Sequence, residues 1–284
     1  MSAPSLFDPA LRGLRLSRAR AGAMPLFLHQ LAADEMQDRL QEINRTFTDR
    51  RIIGPFADIW PGLAPALAPD PATAQTHADT ETLPLAPGSL DLVLSALSLH
   101  HLNDPVGQLV QMRRALRPDG LCLAVLFGGR TLEELRACLG AAEIEMFGGL
   151  SPRVAPMAEI RDLGGLLQRA GFALPVADSL PITVSYRSAT HLMHELRAMG
   201  ETNIMAARQK QGPGRAFFDR VNAIYAAEFP EGDGRVRATF ELVFLTGWAP
   251  ADGQQKPLRP GSAAARLADA LGTVEQNAGD KTHR

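Results

Sequence analysis

The stretch SLDLVLSALSLHHLNDPVGQLVQMRRALRPDGLCLAVLF, residues 89–127, decides the fold. Its apolar runs SLDLVLSAL and LCLAVLF are compact and bounded by turn residues, which is typical of strands buried on both faces. Between them, Asp104 is placed to cap a helix that begins at Pro105, and RPDG is typical of a turn. A strand, a helix and a second strand at this spacing predict a right-handed crossover in a parallel sheet.

Helical patterns flank this unit on both sides. Thr131 and Glu134, after the second strand, have the spacing of a capping box and predict the start of a helix. Apolar residues recur at helical spacing within residues 8–46, and helices predicted between residues 188 and 229 form a cap over the sheet. Residues 236–250 begin with alternating apolar and polar residues, which predicts a late antiparallel strand.

Composition divides the chain into three parts. Residues 1–50 are a helical lead, residues 51–250 an α/β domain with the cap inserted, and residues 251–284 a polar tail. Four prolines within residues 61–79 exclude a long helix or a central strand there. The first half of the α/β domain is therefore expected to be short.

The composition also limits the class of protein. The 284 residues have a formal net charge of −2 with no basic block beyond the N-terminal segment, so no nucleic-acid partner is expected. No run of about 18 apolar residues occurs, and no membrane span is expected. The two cysteines, Cys122 and Cys138, lack the spacing of metal ligands. These features favour the cytoplasm, with attachment beside the inner membrane as an alternative.

Polar residues follow the first buried strand closely, at Ser95, Ser98, His100 and His101. Such a cluster at the end of a strand is either a turn or the mouth of a ligand site. Because an imidazole titrates near neutral pH, each histidine could act as a general base or orient an acceptor. The alternative is a histidine that forms a hydrogen bond at the helix entry. His100 and His101 are the candidate catalytic residues.

Residues 83–129 resemble the second half of a class I S-adenosylmethionine (SAM) methyltransferase domain. The matching elements are DTETLPL, LDLV, SLHH and LRPDG. The later motifs FGGRTLEELR, MGETN, LTGW and RPGSA resemble the branch of the mitochondrial complex I assembly factor, which is a protein-arginine hydroxylase. The malonyl-carrier-protein methyltransferase of biotin synthesis is a more distant relative. The resemblance covers nearly the whole chain.

This resemblance implies a doubly wound, mostly parallel, Rossmann-like sheet of about seven strands, with its ligand at the carboxyl ends of the strands. Residues 95–101 would line that crevice. The implied function is that of a SAM-dependent methyltransferase-like protein that modifies a respiratory complex I subunit or another protein substrate. The alternative is a non-catalytic assembly or docking factor that has lost SAM binding.

The resemblance also implies where SAM would bind. The residues implied as its contacts are Gly54, Asp79, Thr80, Ser95 and Leu97. In place of the family's glycine-rich turn, however, the sequence has RIIGPFADIWPG, in which Phe56 adds bulk, and no acidic residue remains for the ribose. Each lost hydrogen bond to a charged acceptor is worth about 1.5–3 kcal/mol. SAM is therefore expected to bind weakly or not at all.

No metal site is expected from the sequence. His191 and His194 are three residues apart on a predicted helix and can share one face, and His77 lies two residues before Asp79. No carboxylate can be placed beside the paired histidines, so a site of two histidines and one carboxylate for iron is not predicted. A hydroxylase function rests on the resemblance alone.

Overall fold

The computed structural model describes residues 5–23, 25–64, 67, 76–78 and 80–254. Contacts between Cα atoms group the chain into two units, Met1–Pro250 and Ala251–Arg284. All helices and strands named below lie in the first unit. Asp79, one of the residues implied as a SAM contact, lies outside the described residues, as does most of the polar tail.

Helices and strands alternate through the middle of the chain. The helices are α1 (Pro9–Arg20), α2 (Phe27–Glu42), α3 (Trp60–Leu63), α4 (Pro105–Ala115), α5 (Glu133–Phe147), α6 (Ile160–Arg169), α7 (Ala189–Met199) and α8 (Arg215–Glu228). The strands are β1 (Arg50–Ile53), β2 (Thr76–His77), β3 (Leu90–Ala96), β4 (Leu116–Phe127), β5 (Ala173–Tyr186), β6 (Pro230–Glu231) and β7 (Arg235–Trp248). Short 3-10 turns lie at Ala57–Ile59, Leu99–His101 and Gly232–Gly234.

The strands form one mixed sheet in the order β2-β1-β3-β4-β7-β5, and the two-residue β6 pairs with β7. Strands β1 to β4 pair in parallel. Strand β7 is antiparallel to both β4 and β5, so β5 runs in the same direction as the first four strands. The predicted α/β class, with a mostly parallel, doubly wound sheet and a late antiparallel strand, is confirmed.

The sheet is buried on both faces. Along β4, Leu123 and Val125 pack into one apolar cluster with residues of α2, α5, α7 and α8. The alternate residues Ala124 and Leu126 pack into a second cluster with residues of α4 and α6. Because successive side chains of a strand point to opposite faces, a continuous apolar run suits a central strand covered by helices on both sides.

Within the strand–helix–strand unit β3-α4-β4, the start of α4 is as the sequence predicts. The carboxylate of Asp104 accepts a hydrogen bond from the backbone N–H of Gly107 at 2.7 Å, and Pro105 is the first helical residue. The predicted RPDG turn differs in detail, because it lies within the first half of β4. Asp119 has a positive φ of 63° there, so the chain bends sharply without leaving the sheet.

The segment between β1 and β3 is short, as predicted. Its described residues form a 3-10 turn, the four-residue α3 and the two-residue β2. Trp60 fixes α3, since its side chain is fully buried and its indole N–H donates to Nδ1 of His29 at 3.2 Å. Helix α3 therefore packs as part of the core.

The predicted capping box at α5 is wrong. Leu132, at a φ of 57°, precedes the helix and no side chain caps it. The hydroxyl of Thr131 instead accepts a hydrogen bond from the backbone N–H of Glu241 at 3.0 Å. The buried carboxylate of Glu134 accepts hydrogen bonds from the backbone N–H and the hydroxyl of Thr239, at 3.0 and 2.6 Å. Both side chains therefore join α5 to β7.

Both cysteines lie in the interior, as small core residues do. Burial raises the pKa of the Cys122 thiol to about 12 and that of the Cys138 thiol to about 11. Both thiols are therefore protonated at neutral pH. Among the described residues, no helix is both long enough and apolar enough to span a bilayer.

We expect Glu134→Ala to destabilise the fold, because it leaves the backbone N–H of Thr239 buried without its acceptor. An unsatisfied buried donor costs about 1–3 kcal/mol, measurable as a loss of unfolding free energy in urea. The matched control is Glu133→Ala, which removes an exposed carboxylate 3.3 Å from Arg130 and should cost at most about 1 kcal/mol. Equal losses of unfolding free energy for the two variants would contradict the role of Glu134 as the buried acceptor for Thr239.

Candidate functional site

The end of β3 places two histidines side by side. Leu97 leaves the strand at a φ of 48° and its backbone N–H donates to the carbonyl of Val125. The hydroxyls of Ser95 and Ser98 lie 3.2 Å apart in the interior. The 3-10 turn that follows presents His100 and His101, whose rings are 4.2 Å apart between centroids. The polar cluster at the end of β3 is thus a tight turn, and it also places the two imidazoles next to each other.

A carboxylate from a distant segment completes the cluster. Gly200 ends α7 at a φ of 85°, and its Cα lies so close to α1 that an added Cβ would meet the side chain of Leu16 at 3.2 Å. This turn directs Glu201 toward the histidines. The Glu201 carboxylate lies 3.5 Å from Nε2 of His100 and 3.3 Å from Nε2 of His101. The cluster therefore joins two segments about a hundred residues apart.

The N-terminal segment holds these two segments together. Phe7 forms a β-bridge with Met205, and the backbone N–H of Asp8 donates to the carbonyl of Ile204 at 2.9 Å. Phe7 also exchanges two hydrogen bonds with the side chain of Asn103, at 2.9 and 3.1 Å. One short extended segment thus pairs with the loop that carries Glu201 and with the turn that carries the histidines.

The imidazoles are buried and neutral. The side chains of His100 and His101 are 2% and 9% exposed, and that of Glu201 is 16% exposed. Burial lowers the pKa of His100 to about 3, and the charge of Arg12 acts in the same direction. Burial also lowers the pKa of His101 to about 3, because the opposing effect of Glu201 is smaller. At neutral pH these contacts join neutral imidazoles to a carboxylate and are not ion pairs.

His100 is an unsatisfied polar group. Neither of its ring nitrogens has a hydrogen-bond partner among the described residues. Its ring instead meets that of Phe127 edge to face, at 4.9 Å between centroids. The side chain of His100 therefore does not form the hydrogen bond at the helix entry that was the alternative interpretation. Buried polar atoms without partners are rare in folded proteins, and each needs an explanation.

A cavity of about 240 Å³ opens beside the cluster. His101 and Glu201 lie in its wall, whereas most of the remaining wall is apolar and comes from β4, α5, α7, α8 and β7. Apolar residues in the wall include Phe127, Leu135, Met157, Met193, Leu196 and Phe240. Such a cavity can enclose an apolar chain and present its end to polar groups.

The turn after β1, where the resemblance implies part of the SAM site, contains closely packed residues. A Cβ at Gly54 would lie 2.5 Å from the carbonyl oxygen of Ala96, so glycine is needed there for the close approach of two strand ends. Phe56 is buried, edge to face with His29 and 5.1 Å below the guanidinium of Arg20. Phe56 thus occupies this turn as a packed aromatic side chain, where the resemblance implies a run of glycines.

The other residues implied as SAM contacts are divided between interior and surface. Ile53 pairs with Ser95, so Gly54 lies beside the end of β3, and both Ser95 and Leu97 are buried. Thr80 is exposed, and its hydroxyl donates to the carbonyl of Thr82 at 2.8 Å. The structure thus brings together Gly54, Ser95 and Leu97, three of the residues implied as SAM contacts. It leaves Thr80 at the surface.

Glu201 is the member of the cluster that sequence reasoning did not place. Its signal was present, because MGETN is a polar motif that directly follows a helix. Nothing in the local sequence, however, reveals that this motif meets the exit of β3. His191 and His194, whose spacing allows them to share one helix face, are both exposed on α7.

Comparison with known proteins gives a consistent set of similarities. Residues 57–124 match the family model of the methyltransferase domain. The arginine-hydroxylase NDUFAF5 of Danio rerio mitochondria is 41% identical over 192 residues, which is 68% of this chain and 60% of that protein. The malonyl-[acyl-carrier protein] O-methyltransferase of Laribacter hongkongensis is 38% identical over 67% of this chain and 61% of that protein.

These relatives are longer than the region they share with the chain. The matched region spans less than two thirds of the length of each of the two proteins. A crystal structure of a candidate methyltransferase from Bacillus halodurans has a TM-score of 0.49 at 14% identity, covering 75% of this chain and 98% of that chain.

Proposed function

This chain carries a methyltransferase-like domain homologous to the arginine-hydroxylase NDUFAF5, and from that premise we propose that it hydroxylates an arginine side chain of a protein. The proposed partner is a subunit of respiratory complex I. The proposed location is the cytoplasm, beside the inner membrane. The similar NDUFAF5 proteins, by contrast, are named as mitochondrial. Cell fractionation tests that location.

The observation that carries this proposal is the meeting of His100, His101 and Glu201 at the wall of a mainly apolar cavity. The methylene stem of an arginine can lie against apolar walls while its polar end reaches beyond them. Arg153 also lies in the wall, but its charge is balanced by Glu143 at 2.7 Å. Arg197 also lies in the wall, so the carboxylate of Glu201 in the same wall is needed to offset the charge of an entering arginine.

Hydroxylation fixes what else must reach this site. One C–H bond of the substrate is broken and one C–O bond is formed. Dioxygen supplies the inserted oxygen atom, and its second atom leaves as water after taking two electrons and two protons from an organic reductant. The buried, neutral histidines and the apolar walls suit such a reaction, because they exclude bulk water from a reactive oxygen species.

An apolar surface beside the cavity supports the proposal that the substrate is a protein. Ile144, Phe147 and Leu150 are 57%, 53% and 71% exposed at the end of α5. The groove that contains Leu150 shares the side chains of Leu139 and Val154 with the cavity wall. Exposed apolar patches of this kind mark surfaces that bind other proteins. We propose that the arginine-bearing protein docks here.

The proposal includes weak or lost SAM binding. It is supported by the packing of Phe56 against His29 and Arg20 where the resemblance implies an open turn. It is also supported by the sequence between β1 and β3, in which no acidic residue is placed to bind the ribose as the resemblance requires. The domain would then keep the sheet of a methyltransferase and use a different site.

SAM should not stabilise this protein. A ligand that binds the native state raises its unfolding free energy by RT ln(1 + [L]/Kd), about 2.7 kcal/mol at a hundredfold excess over Kd. We expect no change in Tm at millimolar SAM or its demethylated product, in a thermal-shift assay calibrated with a methyltransferase that binds SAM. A rise at micromolar SAM would contradict the loss of cofactor binding.

Mass spectrometry of the proposed substrate tests the reaction. In cells that contain the wild-type chain, an arginine of a complex I subunit should gain one oxygen atom. In cells that lack the chain, or that carry His101→Ala, the same peptide should be unmodified, because the cluster at the cavity is broken. A methyltransferase would instead add the mass of one methylene group.

Two further variants sharpen this experiment. His194→Ala, which removes an exposed histidine of α7, should leave the modification intact. Leu150→Ser should reduce modification of the whole subunit more than that of a short arginine peptide, because it removes docking contact only. Unmodified arginine in all strains, with complex I assembly still dependent on the chain, would favour the alternative of a non-catalytic assembly factor.

A further inference from the structure

Three potential metal ligands meet in the site. His100, His101 and Glu201 each offer one ligand atom, and these three atoms all lie within 4.8 Å of one another. Two neutral imidazole nitrogens and one carboxylate oxygen form the donor set that non-haem iron enzymes use, with further coordination positions left open. The sequence predicted no metal site because no carboxylate could be assigned to a histidine pair, and the fold supplies one.

The distances agree with a shared ion. Nitrogen and oxygen ligands lie about 2.0–2.2 Å from a divalent metal, so two ligands at angles between a right angle and a tetrahedral angle are about 3.0–3.5 Å apart. The Glu201 carboxylate lies 3.5 Å from Nε2 of His100 and 3.3 Å from Nε2 of His101. Both separations are longer than the best hydrogen bonds to nitrogen, yet they match ligands on one metal.

The burial of His100 also indicates a bound metal ion. Its side chain is 2% exposed, and neither ring nitrogen has a hydrogen-bond partner among the described residues. A buried polar group without a partner costs about 1–3 kcal/mol. A metal ion on Nε2 would supply the missing partner beside Glu201, whose carboxylate lies 3.5 Å from this nitrogen.

We propose that His100, His101 and Glu201 bind one divalent transition-metal ion, of the class to which Fe(II) belongs. The choice of iron rests on the proposed hydroxylase function, whereas the binding of a metal rests on geometry alone. His101 and Glu201 line the cavity, so an ion held by them would lie at the wall of the space into which dioxygen and the substrate side chain would enter.

The charges around the cluster identify its most sensitive residue. Arg12 places a positive potential on both imidazoles, which opposes a bound cation. The carboxylate of Glu201, 3.3 Å from Nε2 of His101, offsets part of this potential at that imidazole. Removing its charge while keeping its shape should therefore weaken metal binding more than it disturbs the fold.

The experiment is an anaerobic titration of the full chain with Co(II), followed by Fe(II), with visible absorption and metal content as readouts. We expect the wild type to bind one equivalent, with the absorption bands of cobalt bound to nitrogen and oxygen ligands. Glu201→Gln and His101→Ala should lower the affinity at least tenfold while circular dichroism remains that of the folded protein. The control His191→Ala/His194→Ala, which removes the exposed pair of α7, should bind like the wild type.

The possible results separate this inference from the proposed function. No bound metal in the wild type, equal affinity in Glu201→Gln, or loss of binding in the His191/His194 control would overturn the metal site. Arginine hydroxylation that persists in chelated, metal-free protein would overturn the choice of Fe(II) as the bound ion, although the proposed function would stand. One tightly bound metal without any hydroxylated arginine would keep the site and refute the proposed function.

Discussion

The site depends on one buried contact, that of the Glu201 carboxylate with the imidazoles of His100 and His101. Placing three polar groups in an interior is costly unless each finds a partner. The fold keeps them there by tying three segments together, since Phe7 pairs with Met205 on one side and with Asn103 on the other. The N-terminal segment is thus part of the site's framework, because it holds the histidine turn against the loop after α7.

The polar cluster lies beside the turn after β1 at which the resemblance implies SAM, since a Cβ at Gly200, which precedes Glu201, would lie 3.7 Å from the ring of Phe56. The strand ends that would hold SAM approach each other closely, with Gly54 against Ala96, and Phe56 fills the adjacent space. The polar cluster and its cavity extend from the end of β3 to the helices α5, α7 and α8. A fold alone does not fix an activity, because activity depends on the groups that a particular sequence places on that fold.

Local patterns in the sequence were sufficient for the sheet and for α4. The apolar runs of β3 and β4 predicted buried parallel strands, and Asp104 predicted the helix start, because these structures depend on neighbouring residues. The same reasoning failed at Thr131 and Glu134, whose partners lie more than a hundred residues away on β7. The site was half predicted for the same reason. The histidines were found at the strand exit, but Glu201 reaches them only through tertiary packing.

The most direct test of this account is a crystal structure of the full chain grown anaerobically with Fe(II), with data collected on both sides of the iron absorption edge. The account predicts one anomalous peak about 2.0–2.2 Å from Nε2 of His100, Nε2 of His101 and a carboxylate oxygen of Glu201. Data without a peak between these three side chains would contradict it, as would a peak held only by exposed histidines.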